Sequence, residues 1–128
     1  MSLCDGTWQL VPELSHYDRS GPPDWGTYDV RTVGGMVNFQ VTRCKDGKDF
    51  AVSFAAPTNG QPVAGAFPGV DSFLVRQEGG ALISQAFATG ELVARASRRV
   101  AGDLISILQE NRDGNGGWLR IWQVHRRM

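Results

Sequence analysis

Polar and apolar residues take turns along most of this chain. Val37, Phe39 and Val41 alternate with Asn38, Gln40 and Thr42, and Phe50, Val52 and Phe54 alternate with Ala51, Ser53 and Ala55. Tyr28 and Val30 likewise oppose Thr27, Asp29 and Arg31. A period of two puts one set on a buried face and the other in water, as in antiparallel sheets. The pattern predicts strands over about 6–11, 25–32, 36–44, 49–56, 72–78, 81–88, 91–100, 104–111 and 118–126. Between them stand the turn signals Asp46-Gly47, Asn59-Gly60, Gly79-Gly80, Thr89-Gly90, Gly102-Asp103 and Asp113-Gly114, which from Gly79 onward recur about every 11 or 12 residues. The stretch "LISILQENR" has enough residues for a short helix, but Gly102 before it and the glycine cluster after it cut it to strand length. So many strands in 128 residues leave no room for crossover helices. The expectation is an all-β domain spanning residues 1–128: one antiparallel up-and-down barrel, whose closure removes free sheet edges.

Two stretches break the rhythm. "PELSHYDRSGPPDW" (12–25) is long, polar and proline-containing, and "PTNGQPVAGAFPG" (57–69) is rich in proline and glycine. Neither reads as a strand. Both are expected as irregular segments over the same open end of the barrel or its rim.

Charge narrows the function class. The 13 basic and 13 acidic residues cancel, which argues against a nucleic-acid partner. Residues 91–128 nevertheless carry seven arginines and no lysine, against four acids. For most of the seven, a solvated outer face is the expected role. Cys4 and Cys44 set no disulfide framework: they either pair, if the first strand lies near residue 44, or stay reduced. Residues 1–20 show no basic segment followed by an apolar run, and no apolar stretch has the length of a membrane span. A cytoplasmic protein is expected, with a leader removed ahead of this chain as the alternative.

Gly6-Thr7-Trp8 at the start of the first strand resembles the G-x-W signature of the lipocalins and their calycin relatives. The loop Gly21-Pro22-Pro23, the hairpin "KDGKDF" and the later Ser97-Arg98-Arg99-Val100 resemble more closely a group of small bacterial lipocalin-like proteins. The T-D-Y element of the secreted lipocalins is absent. The resemblance implies a barrel of the lipocalin and fatty-acid-binding-protein type, with Trp8 closing one end. It also implies an arginine late in the last strand packed across that indole; Arg126 is the candidate, with Arg127 beside it. Independently, a tryptophan on a first strand buries a large apolar area while its N–H reaches a carbonyl.

Tyr28, Phe39, Phe50, Phe54, Phe73 and Phe87 are candidates for the barrel interior, either filling it or lining a pocket for one small apolar ligand. Arg98 falls on the same face as Leu92, Ala94, Ala96 and Val100. A guanidinium there needs the barrel mouth, a carboxylate partner or an anionic ligand. Arg120 and Trp122 share a face of the last strand and resemble the Arg-x-Tyr pair with which fatty-acid-binding proteins hold a carboxylate, the tyrosine being replaced. No C-x-x-C, H-E-x-x-H or G-x-S-x-G is present, and the two histidines and two cysteines are not at metal-ligand spacing, so no metal and no cofactor are expected. The leading expectation is a binding protein, not an enzyme, for a small apolar or anionic amphiphilic ligand. One alternative is a packed interaction module dimerising through outward Ile105, Ile107, Leu119 and Ile121. The other is a haem-binding barrel resembling nitrobindin, using His125, or a chemistry at His16.

Overall fold

Tight turns set the strand lengths. Asp46-Gly47 adopts φ of 53° and 76°, and Thr89-Gly90 adopts 50° and 79°. Positive φ at both central residues gives the turn a twist that matches two antiparallel strands, so each pair closes a hairpin in two residues. The computed structural model describes residues 3–19, 21–65 and 69–128. Its strands are β1 (Gly6–Leu10), β2 (His16–Tyr17), β3 (Trp25–Val33), β4 (Met36–Lys45), β5 (Lys48–Pro57), β6 (Val63–Ala64), β7 (Ser72–Glu78), β8 (Ala81–Ala88), β9 (Glu91–Ala101), β10 (Leu104–Arg112) and β11 (Trp118–Arg127). The nine long ones lie where the alternation placed them.

All belong to one sheet in the order β5-β4-β3-β1-β11-β10-β9-β8-β7-β6, with β2 beside β11. First and last strands pair, Trp8 opposite Arg127 and Leu10 opposite His125. The sheet therefore curls into an antiparallel barrel, open only along a seam between β5 and β7. The seam is stitched by the chain that leaves β5. The Gln77 N–H donates to the Thr58 carbonyl at 3.2 Å, and the Gly60 N–H donates to the Val75 carbonyl at 2.9 Å. Further on, Val63 and Ala64 pair with Phe73 and Ser72.

The segments expected as loops over the open end behave differently. Residues 57–64 run up the seam as barrel wall, with Val63 packed against the core; residues 66–68 lie outside the described residues. Within 12–25, Pro12–Leu14 forms one 3-10 turn. His16 and Tyr17 then pair with Trp122 and Ile121, extending the wall along β11 where β1 stops. The Ser15 hydroxyl accepts from the Val124 N–H at 3.0 Å, anchoring the turn to the edge of β11 between β1 and β2. Backbone groups without neighbours on an edge recruit whatever chain is near. Composition hid this, because a two-residue strand has no period to read.

The barrel is filled at one end. Trp8, Val30, Val37, Phe39, Val75, Leu82, Ile105 and Ile107 are buried there in one cluster. Trp8 is 0% exposed, and its indole N–H donates to the Cys4 carbonyl at 3.0 Å. The arginine across it is Arg127, whose guanidinium carbon lies 4.1 Å from the ring centroid; Arg126, one residue earlier, faces outward and is exposed. Register decides between the two, since Arg127 is opposite Trp8 and Arg126 is opposite Gln9. Gly6 accounts for the rest of the motif. Its φ is +144°, and a Cβ there would stand 2.6 Å from Arg127 Nη1. Cys4 and Cys44 are not joined to each other.

Trp8→Ala is expected to lower unfolding free energy by about 3–5 kcal/mol, the usual cost of deleting a fully buried large aromatic. Arg127→Ala should cost less and Arg126→Ala almost nothing. Urea unfolding of the three variants measures the order.

Candidate ligand-binding site

Side-chain size divides the barrel. Toward the closed end the inward positions of β8 and β10 carry Leu82, Ile105 and Ile107. Toward the other end β8 and β9 carry Ser84, Ala86, Ala94 and Ala96. Small residues facing Val41, Val52, Phe54 and Phe73 leave a cavity of about 390 Å³ in the half of the barrel away from Trp8. Val70 and Arg43 stand at its mouth. Arg43 reaches over the ring of Phe50, 5.8 Å from its centroid.

Arg98 forms the inner end. It is 4% exposed. Its Nε donates to the Tyr28 hydroxyl at 2.7 Å, and Nη1 donates to the Ser84 hydroxyl at 3.1 Å. Below, the guanidinium carbon is 4.6 Å from the Phe39 ring centroid. Both hydrogen-bond partners are neutral. Among the described residues no carboxylate pairs with this guanidinium, and none lines the cavity. Nη2 makes no hydrogen bond among them either. A positive charge held this deep without a counter-ion is costly, and a negative charge placed beside it would offset that cost.

Of the other expected site residues, Tyr28, Phe54 and Phe73 line the cavity with Arg98. Phe39 does not; it stacks on Phe54 at 4.6 Å between centroids and makes the floor beneath Arg98. Phe50 is 51% exposed on the rim. Phe87 follows a register shift between Ala86 and Phe87, pairs with Leu92, and does not line the cavity. Arg120 and Trp122 face outward. Trp122 is 52% exposed, and Arg120 Nε donates to Glu110 at 3.1 Å on the outer wall. The inward row of β11 is instead Leu119, Ile121, Gln123 and His125, which pair with Asn111, Gln109, Ile107 and Ile105. Hydrophobic residues on both faces of β11 made its direction unreadable. One set packs inside; of the other, Val124 lies under the Pro12–Leu14 turn, and Trp118 lies under Arg95 and Arg112, whose guanidinium carbons are 5.0 and 4.4 Å from its ring centroid. The outward dimer face built on Ile105, Ile107, Leu119 and Ile121 is therefore not there: all four point into the barrel, and Ile105 and Ile107 are in its core.

Sequence reading missed Arg43, Ser84, Gln109, Asn111 and Gln123. Gln109 and Asn111 share parity with Ile105 and Ile107, so a polar residue on an apolar face was the available signal. The histidines lie elsewhere. His16 is exposed, 3.6 Å from Asp18. His125 is buried with its ring 5.6 Å from that of Tyr28, outside the cavity lining. Among the described residues no cluster of His, Cys, Asp and Glu has the makings of a metal site.

No protein-family model and no curated protein matches this chain. Solved structures do. A secretory abundant heat soluble protein from Ramazzottius varieornatus superposes with a TM-score of 0.72 at 11% identity, covering 100% of this chain and 97% of that one. A variant of the fluorescent protein UnaG gives 0.68 at 15% identity over 98% and 96%. A variant of the fatty acid transporter REP1-NXSQ gives 0.66 at 15% over 97% of each. The fold is a single antiparallel, nearly closed β-barrel of the lipocalin and fatty-acid-binding-protein type. At such identity the likeness is one of backbone, and what the barrel holds depends on this chain's own residues. Among the described residues, no helix is long and apolar enough to cross a membrane.

His125 makes the barrel sensitive to acid. Its Nδ1 is buried without a partner, and burial pulls its pKa from 6.5 down to about 4. The unfolded chain binds this proton near pH 6.5 and the folded chain only near 4. Stability is thus complete above about pH 6.5 and falls as pH drops toward 4, by about 3 kcal/mol in all. Glu110 adds a loss below the ordinary carboxylate range, because Arg95, and then Arg120, hold its pKa down. Urea midpoints of the parent should decline between pH 6.5 and 4.5. The same curve for His125→Phe should be flat over that window, and a decline of equal size in both proteins would reject His125 as its source.

Proposed function

We propose that this barrel is a binding protein for a small amphiphile with an anionic head, the head seated against Arg98, Tyr28 and Ser84 and the apolar body along Val41, Val52, Phe54 and Phe73. One observation carries the reading: a guanidinium that is 4% exposed, bonded only to neutral hydroxyls, at the inner end of a hollow. Two hydroxyls and a free Nη2 offer a carboxylate donors in a charge-assisted set. The hydroxyls still have protons to give, since each accepts from Arg98. Filled to the density of a protein interior, about 0.75, the cavity takes an amphiphile of moderate size and not a large lipid. Arg43 at the mouth adds a second positive charge on the anion's path. The backbone likeness to a fatty acid transporter agrees with this reading. The residues named bind and orient a ligand; none forms a nucleophile–base pair, so the role is carriage or sequestration and not catalysis.

A fluorescent fatty-acid probe should bind the parent. Arg98→Met should weaken it by about 1.5–3 kcal/mol, the range for a hydrogen bond to a charged group, without lowering the melting temperature, because a buried guanidinium lacking a counter-ion gives the fold little. Arg99→Ala, on the exposed outer face, should leave binding unchanged. Equal losses from Arg98→Met and Arg99→Ala would mean surface charge and not a pocket, and no binding by the parent would end the proposal.

A further inference from the structure

The cavity walls are unlike one another. Apart from Arg43 at the mouth, the β4, β5 and β7 side is apolar, whereas the β10 and β11 side presents three amides: Gln109, Asn111 and Gln123. Each amide is half spent. Gln109 Nε2 donates to Asn111 Oδ1 at 3.3 Å, and Gln123 Nε2 donates to the Tyr17 hydroxyl at 3.1 Å. Gln109 Oε1, Asn111 Nδ2 and Gln123 Oε1 make no hydrogen bond among the described residues. An acceptor, a donor and another acceptor therefore line one side of a ligand whose other side meets hydrocarbon.

Register places these groups relative to the anchor. Arg98 is opposite Ile107, so Gln109 is one inward step nearer the mouth and Asn111 two. At the rise of a strand those steps lie about 7 and 13 Å from the Arg98 level. Gln123, opposite Ile107 on the other side, stands beside the anchor itself. A plain alkyl chain drawn across this wall would strip water from Gln109 and Asn111 and return nothing. We infer that the ligand is an oxygenated amphiphile: a carboxylate whose apolar body carries hydroxyl or keto groups along one side, toward the middle of its length, where it passes Gln109 and Asn111 about 7–13 Å of strand rise from the Arg98 level. The inference rests on Arg98 as the carboxylate anchor and names the class of anion the site selects.

Direct titration of hexadecanoate and of its mid-chain vicinal diol tests it, because the two share head and length. The diol should bind the parent at least tenfold more tightly. The double variant Gln109→Leu, Asn111→Leu should reverse that preference, and Gln109→Met, nearly equal in volume and so safe for folding, should reduce it severalfold. A parent that prefers hexadecanoate, or a ratio that neither variant moves, overturns the oxygenated class. Arg98→Met separates this from failure of the anchor: it should weaken both ligands alike and leave their ratio unchanged. If it weakens neither, the anchor fails and the inference falls with it.

Discussion

The stack of Arg127 on Trp8 joins the two ends of the chain, and the barrel depends on that junction. β1 is the shortest of the nine at five residues, yet it must complete the ladder between β3 and β11. Its hold comes from what it buries: an indole inside the closed end, capped by a cation from the last strand and tied by its N–H to Cys4. A cation over an aromatic face contributes about 0.5–2 kcal/mol, less than the burial it covers, but it also fixes register. With Trp8 opposite Arg127, every inward position around the sheet is determined, because a slip of one residue would turn all the side chains over.

That register gives the barrel a filled half and a hollow half. Leu82, Ile105 and Phe39 fill the space around Trp8. The same strands a few residues on carry Ser84, Ala86, Ala94 and Ala96, which cannot reach across. Arg98 stands at the boundary. Its long side chain lies between the Phe39 ring and the hollow, so the boundary of the core is itself a charged group. The two hydroxyls that hold it are too weak a counterweight to neutralise it, and the charge is left for whatever enters.

The arginines of the C-terminal third divide by face. Arg95 and Arg120 clamp Glu110 on the outer wall, and Arg95 and Arg112 cover Trp118, so these side chains shield an outer strand face from water. Arg127 closes one end. Of the seven, Arg98 is the one that is buried, with its guanidinium at the inner end of the cavity. One residue type in one stretch of chain thus does three physical jobs, and composition alone cannot assign them.

Much of this was legible in the sequence. Period-two alternation and the Gly-containing turn pairs determined the nine long strands, because a two-residue turn with positive φ leaves little choice about where strands stop. Arg98, in one row with Ala94, Ala96 and Val100, was legible as a charge turned to the inside of the barrel, and it is buried there. The tertiary structure alone decided the rest. Which face of β11 turns inward depended on what covers the other face, here Ser15 and the turn before it together with Arg95 and Arg112, and neither is written in β11. That error placed Arg120 and Trp122 in the pocket and Ile121 outside it. The choice of Arg127 over Arg126 hung on the same register. His16-Tyr17 and Val63-Ala64 became wall because unpaired edges lay beside them. The hollow itself depends on small residues of β8 and β9 meeting large ones from β4, β5 and β7 across a closed sheet. Alternation along a chain reports which side chains share a face, but what that face meets is settled only when the sheet closes.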